Sequence, residues 1–122
     1  MSKRILILDD NVDFLTIEKR VLEGNGYDVR AISKPMEIEK NIEEFGPDVL
    51  IIDIYMPGRS GFDIVEEFRR RGVYGNIPKI FLTGIDDDVD KMIAKYDGVA
   101  EYITKPYAGK VLLEALEKVF GK

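Results

Sequence analysis

The sequence predicts an α/β fold in which five βα units wind into a single parallel sheet covered by helices on both faces. Short apolar runs alternate with amphipathic stretches along the whole chain. Two of the runs, Ile5–Leu8 and Val49–Ile52, are apolar at every position rather than at every second one. A strand of that kind is buried on both sides, which is the mark of a parallel sheet enclosed by helices. No repeat, low-complexity tract or linker interrupts the 122 residues, so one domain spanning 1–122 is expected.

The elements follow in order. Ile5–Leu8 is the first strand, and Phe14, Leu15, Ile17, Val21 and Leu22 mark one side of a first helix that Gly24 to Gly26 ends. Val29–Ile32 is the second strand. Pro35 opens the second helix, Ile38, Ile42 and Phe45 give its buried face, and Gly46-Pro47 closes it. Val49–Ile52 is followed by a third helix on Phe62, Ile64, Val65 and Phe68. Ile80–Leu82 precedes a fourth helix on Val89, Met92, Ile93 and Tyr96, behind the acidic cap Asp86-Asp87-Asp88. Val99–Ile103 is the fifth strand and Val111–Phe120 the fifth helix. Right-handed crossovers then give a doubly wound, three-layer sandwich.

Composition narrows the chemistry. Cysteine and histidine are both absent, which removes disulfides, thiolate or imidazole metal sites, a cysteine nucleophile and any histidine-based triad. What remains is carboxylate, lysine, hydroxyl and a hard metal ion. The net charge of -5 argues against a nucleic-acid surface. No run approaches the length of a membrane span, and the apolar run that follows Lys3-Arg4 ends at Asp9, too soon for a signal peptide. Cytoplasm is the expected location.

The polar residues sit at the strand ends. The first strand runs into Asp9 and Asp10, the third into Asp53, the fourth ends at Thr83, and the fifth leads to Lys105. In an open parallel sheet all carboxyl ends share one pole, where ligands bind. Three carboxylates brought together there repel, and either their pKa values rise or a cation neutralises them. With oxygen ligands alone the ion is a hard one, and a small, partly hydrated Mg2+ suits a site that also holds a phosphate. A carboxylate nucleophile, an ammonium and a hydroxyl beside such an ion fit phosphoryl transfer through an aspartyl phosphate.

Leu8-Asp9-Asp10-Asn11, Asp53-Ile54-Tyr55-Met56-Pro57 with Gly61, Leu82-Thr83-Gly84 and Tyr102-Ile103-Thr104-Lys105-Pro106 together resemble the receiver domain of bacterial two-component response regulators, of the stand-alone chemotaxis type. The resemblance runs from about Lys3 to Phe120, and its weight lies in the four motifs occurring in this order. It implies a flavodoxin-like sheet of order 2-1-3-4-5. It implies Asp53 as phosphoacceptor, and Asp10, Asp9, Asp53 and the Tyr55 backbone carbonyl around Mg2+, with Asp9 acting largely through water. Thr83 and Lys105 would hold phosphoryl oxygens, Gly84 would leave room for them, and the Lys105-Pro106 peptide would be cis. Thr83 and Tyr102 would form a switch that reshapes the face of the fourth helix, fifth strand and fifth helix for partner binding. The implied donor is a histidine kinase or phosphotransfer protein, the implied output an unspecified protein target, and neither nucleic acid nor membrane is a partner. Such a chain is a self-catalysing phosphoacceptor with slow autodephosphorylation, not a turnover enzyme.

Competing readings attach to the same residues. A Mg2+-dependent phosphatase also passes through an aspartyl phosphate, but it needs Asp-x-Asp after the first strand, and Asp9-Asp10-Asn11-Val12 does not supply it; Asp9 would then carry the phosphate. A receiver-like scaffold that no longer takes phosphate is the other alternative, against which the intact set of acids, Thr83 and Lys105 speaks. Asp9-Asp10 alone reads as a helix cap, and Tyr102 alone as core. Asp86, Asp88, Asp90 and Asp97 echo a calcium loop, but Lys91 stands where that loop needs glycine, so a capped helix start is expected. Arg69-Arg70-Arg71 suits the dipole at a helix end. The fifth helix carries more apolar residues than one face needs, which raises weak self-association around Val111, Leu113 and Phe120.

Overall fold

The structure is a computed structural model that describes residues 2–105 and 109–121. Five strands, β1 (Arg4–Leu8), β2 (Asp28–Ile32), β3 (Val49–Ile52), β4 (Lys79–Thr83) and β5 (Glu101–Thr104), pair in parallel in the order β2-β1-β3-β4-β5. They alternate with α1 (Val12–Gly24), α2 (Ile38–Phe45), α3 (Gly61–Arg71), α4 (Asp88–Tyr96) and α5 (Gly109–Val119). The expected α/β sandwich and strand order are both present.

Strand alternation builds two cores, one on each side of the sheet. Leu6, Leu8, Leu50, Ile52 and Phe81 pack with Ile38 and Ile42 of α2, Ile64, Val65 and Phe68 of α3, and Ala94 of α4. Ile5, Ile7, Val49, Ile51, Ile80 and Leu82 pack on the other side with Leu15 and Leu22 of α1 and with Leu112, Ala115 and Leu116 of α5. The central strands have no solvent face, which is why they carry no alternation in sequence.

Capping chemistry fixes the helix starts. Asn11 accepts from the Phe14 amide, Ser60 and Asp63 form a reciprocal capping box, and Asp87 accepts from the Asp90 amide. The acidic cluster before α4 is therefore the cap it was expected to be. Arg69, at the end of α3, pairs with Asp97 at 3.5 Å, and Arg71 pairs with Glu67 at 3.0 Å, so two of the three arginines of this run meet neighbouring acids.

Four expectations need correction. Pro35–Glu37 forms a single 3-10 turn, and α2 proper begins at Ile38. The fifth strand starts at Glu101 rather than Val99, because the Val99 amide donates back to the Ala94 carbonyl and Gly98 takes φ +80° to make that turn. The apolar stripe of α4 does not face the core: Val89, Met92, Ile93 and Tyr96 are exposed, and Ala94 is the one buried residue of that helix. Ile17 of α1 is likewise outside, with Leu15, Glu18 and Leu22 turned inward.

Candidate phosphoryl and metal site

The sheet ladder extends one residue past three strand ends, and those three residues are site residues. The Asp9 amide donates to the Ile32 carbonyl, the Asp53 amide to Leu8, and the Lys105 amide to Thr83, at 3.2, 2.9 and 2.6 Å. Backbone hydrogen bonding thus fixes where each side chain leaves the sheet, before any side-chain contact is counted. Asp10, one residue further, lies exposed at the rim.

Asp9, Asp10 and Asp53 each present a carboxylate oxygen within 4.8 Å of the others. Asp9 and Asp53 are buried. Burial raises the Asp53 carboxyl from its ordinary 3.8 to about 6; the Asp9 charge pushes the same way, Lys105 opposes, and Asp10 adds a smaller push upward. Lys105 Nζ lies 2.5 Å from Asp9 Oδ2, and the Asn11 amide donates to Asp9 Oδ1 at 2.9 Å. With three carboxylates and one ammonium at this pole, two negative charges remain. One divalent cation balances them. The donor set is oxygen only, which fits Mg2+.

Thr83 is fully buried at the end of β4, where its Oγ1 accepts from the Ile85 amide at 3.3 Å. Tyr102 on β5 is half-buried and donates its hydroxyl to the Ile85 carbonyl at 2.6 Å. Burial first, and then the charges of Asp90, Asp87 and Asp86, push the Tyr102 phenol up to about 12. The two expected switch residues therefore meet the same residue of the β4–α4 loop. Tyr55 is exposed, and its hydroxyl donates to the Asp90 carboxylate of α4. That bond holds its phenol at about 12.

The sequence reading missed two contributors. Phe14 of α1 places its ring centroid 4.0 Å from Lys105 Nζ, a cation–π contact that helps to hold the ammonium. Gly61 was noted as motif without a reason, and the reason is steric: a Cβ there would lie 2.8 Å from the Asp53 carbonyl oxygen and 3.0 Å from Ile54 Cα. Helix α3 therefore starts against the backbone of Asp53 and Ile54. Gly84 is under no such pressure, since a Cβ there meets nothing within 4 Å. Pro106 lies outside the described residues, and with it the expected cis peptide. The surface expected on α5 needs correction: Leu113 and Phe120 pack against the core, the latter with Tyr27 at 6.1 Å, and only Val111 of the three is exposed.

A family model described as the response regulator receiver domain matches residues 5–117. The transcriptional regulatory protein for alkaline phosphatase synthesis, PhoP, of Bacillus subtilis is 32% identical over 108 residues, which is 88% of this chain and 44% of that protein. The aerobic respiration control protein ArcA of Escherichia coli is 34% identical over 106 residues, 87% of this chain and 43% of that one. The chain thus spans less than half the length of these relatives. Among solved structures, chemotaxis protein CheY4 of Vibrio cholerae superposes with a TM-score of 0.89 at 26% identity, covering 98% of this chain and 99% of that one. A CheY-like receiver domain protein of Methanospirillum hungatei does so with a TM-score of 0.88 at 30% identity, covering 99% and 96%.

Proposed function

The chain belongs to the response-regulator receiver family of two-component systems, a family of phosphorylation-dependent signalling modules, and from that premise we propose that Asp53 is its phosphoacceptor. Mg2+ would be held by Asp9, Asp10, Asp53 and the backbone carbonyl of Tyr55. The observation that carries the assignment is the convergence of Asp9, Asp10, Asp53 and Lys105 at one pole with two negative charges in excess. An Asp53 carboxylate oxygen attacks phosphorus of a phosphohistidine donor, forming the O–P bond of an acyl phosphate as the N–P bond breaks and the electron pair returns to the imidazole. When bound, the ion draws charge from the phosphoryl oxygens and from the three carboxylates.

The chain's own groups do the rest. Lys105, held between Asp9 and the Phe14 ring, stands ready to neutralise charge on an equatorial oxygen. Asp9 orients that lysine and is itself tied by the Asn11 amide. This supports Asp9 as an orienting residue rather than as the nucleophile that the phosphatase alternative requires. Thr83, buried at the end of β4, supplies a hydroxyl from the neighbouring strand. Movement of Thr83 toward the phosphoryl group would disturb the bond from the Ile85 amide, and Tyr102, bound to the Ile85 carbonyl, would respond on the α4-β5-α5 face. That couples the charge at Asp53 to a surface for a downstream protein.

A histidine kinase or phosphotransfer protein is the proposed donor, with small acyl phosphates as substitutes. Phosphorylation is self-catalysed and reversed slowly by water, with at most one phosphate per chain. No described helix is long and apolar enough to cross a membrane, and the proposed site of action is the cytoplasm. Incubation with radiolabelled acetyl phosphate and Mg2+ tests the assignment. The native chain takes label and Asp53→Asn does not; equal labelling of the two overturns it.

A further inference from the structure

The loop between β3 and α3 is held in place by side chains. At its start the Asp53 amide joins the sheet ladder, and at its end the Gly61 amide donates to the Ile54 carbonyl at 2.7 Å. Among the described residues, no backbone-to-backbone hydrogen bond ties residues 55–59 in between. A backbone without such ties keeps its shape only through what its side chains grip. Here Met56 is buried, the Tyr55 hydroxyl reaches Asp90, and Arg59 anchors the limb that leads into α3.

Arg59 is the most engaged of the three. Its side chain is only 12% exposed, and its guanidinium splits between two helices. Nη1 donates to Glu39 Oε1 of α2 at 2.8 Å and to the Pro35 carbonyl at 3.4 Å, while Nη2 donates to Glu67 Oε2 of α3 at 3.2 Å. Arg71 braces the same two acids from a more exposed position, 3.0 Å from Glu67 and 3.6 Å from Glu39. Burial alone would raise the Glu39 carboxyl; the Arg59 guanidinium beside it holds it below its ordinary range. Two guanidinium groups face two carboxylates, so the network is neutral, and no hydrogen bond or ion pair among the described residues joins it to Asp9, Asp10 or Asp53. What it fixes is the position of the backbone.

We propose that Arg59 is a positioning residue of the metal site: by clamping the β3–α3 loop to α2 and α3, it fixes the backbone that carries the Tyr55 carbonyl. Tyr55 lies four residues before Arg59 on that loop. A carbonyl ligand has no rotamer to adjust, so the conformation of its loop alone decides how it is offered, and groups behind a ligand govern affinity for that reason. Lysine does not replace arginine in this role, because one ammonium cannot grip Glu39 and Glu67 as a planar fork does. The inference rests on the reading of Tyr55 as a Mg2+ ligand.

NMR titration with Mg2+ alone, without a phosphoryl donor, tests it. Removing a positive charge from the neighbourhood of three carboxylates would tighten cation binding by electrostatics, whereas losing a clamp loosens it, so the sign separates the two causes. Arg59→Met should raise the Mg2+ dissociation constant about fivefold or more, and Arg59→Lys, which keeps the charge, should do the same. Arg71→Met takes a cation from the same network without touching the loop, and should leave the constant within about twofold of native. Amide dispersion in the same spectra shows that each variant is folded; should Arg59→Met not be, Arg59→Lys carries the comparison. Unchanged or tighter binding in Arg59→Met, native affinity in Arg59→Lys, or an equal loss in Arg71→Met overturns the proposal and leaves the ligand reading standing. A native chain that does not saturate with millimolar Mg2+, or binding that survives Asp10→Ala undiminished, overturns the ligand reading and this inference with it.

Discussion

Lys105 Nζ stands 2.5 Å from Asp9 Oδ2, joining the ends of β5 and β1 across 96 residues of sequence. The lysine is half-buried and the aspartate fully so, and the pair shares its space with the Phe14 ring. Lys105 supplies one positive charge against the three carboxylates of the acidic pole, and a bound divalent ion would supply the other two.

Lys105→Met removes that charge while keeping most of the packing volume. The buried Asp9 loses its partner, and the metal-free protein should lose about 2–4 kcal/mol of stability. Mg2+ affinity should rise several-fold, because three carboxylates then face the ion without competition. Urea unfolding in chelator and NMR titration with Mg2+ measure the two effects, which carry opposite signs.

Asp53→Asn should stabilise the metal-free protein at neutral pH. The folded carboxyl binds its proton up to about pH 6, whereas the unfolded one releases it near 3.8. Between those values the folded state holds the extra proton, so the contribution of Asp53 to stability falls as pH rises through the window. Above it the loss is complete, at about 3 kcal/mol. The stability difference between native protein and Asp53→Asn, followed by denaturant unfolding from pH 3 to 8 in chelator, should open across that window and stay open above it.

Mg2+ should reverse that penalty. At a concentration a hundredfold above its dissociation constant the ion adds about 2.7 kcal/mol, read as a rise in thermal midpoint. Asp10 is exposed. Asp10→Ala should therefore leave the metal-free midpoint within a few degrees of native while removing most of the Mg2+-dependent rise. A midpoint that responds equally in both proteins contradicts the ligand assignment.

Gly61→Ala should be costly although the new side chain is a single methyl. Its Cβ meets backbone on two sides, the Asp53 oxygen at 2.8 Å and Ile54 Cα at 3.0 Å, and the Phe81 ring at 3.2 Å on a third. A loss of about 1–3 kcal/mol follows. Phosphorylation should slow as well, since the backbone that must yield is that of Asp53, the proposed acceptor. Denaturant midpoints together with labelling rates check both effects.

Much of this was legible from sequence because the central strands are continuously apolar and the site residues follow directly where that apolarity stops. Ile5–Leu8 into Asp9, and Val49–Ile52 into Asp53, need no tertiary information to be placed. The contact of Phe14 with Lys105 was not legible, because an aromatic at a helical core spacing has the same signature whether it meets a leucine or an ammonium. Nor was the direction of α4. Periodicity locates an apolar stripe but not what covers it, and the small Ala94, not Val89, Met92, Ile93 or Tyr96, proves to be the side that meets the sheet. The excess of apolar residues on α5 dissolves once Leu113 and Phe120 are seen to lie against the core.

The central claim, that the far-apart acids act together to put a phosphoryl group on Asp53, is tested most directly by locating that group. After treatment with acetyl phosphate and Mg2+, peptide mass spectrometry should find a single added phosphoryl group, on Asp53, in an amount that falls sharply when Mg2+ is chelated. Modification of Asp9 or Asp10 instead, or an undiminished yield in Asp53→Asn, would contradict the account.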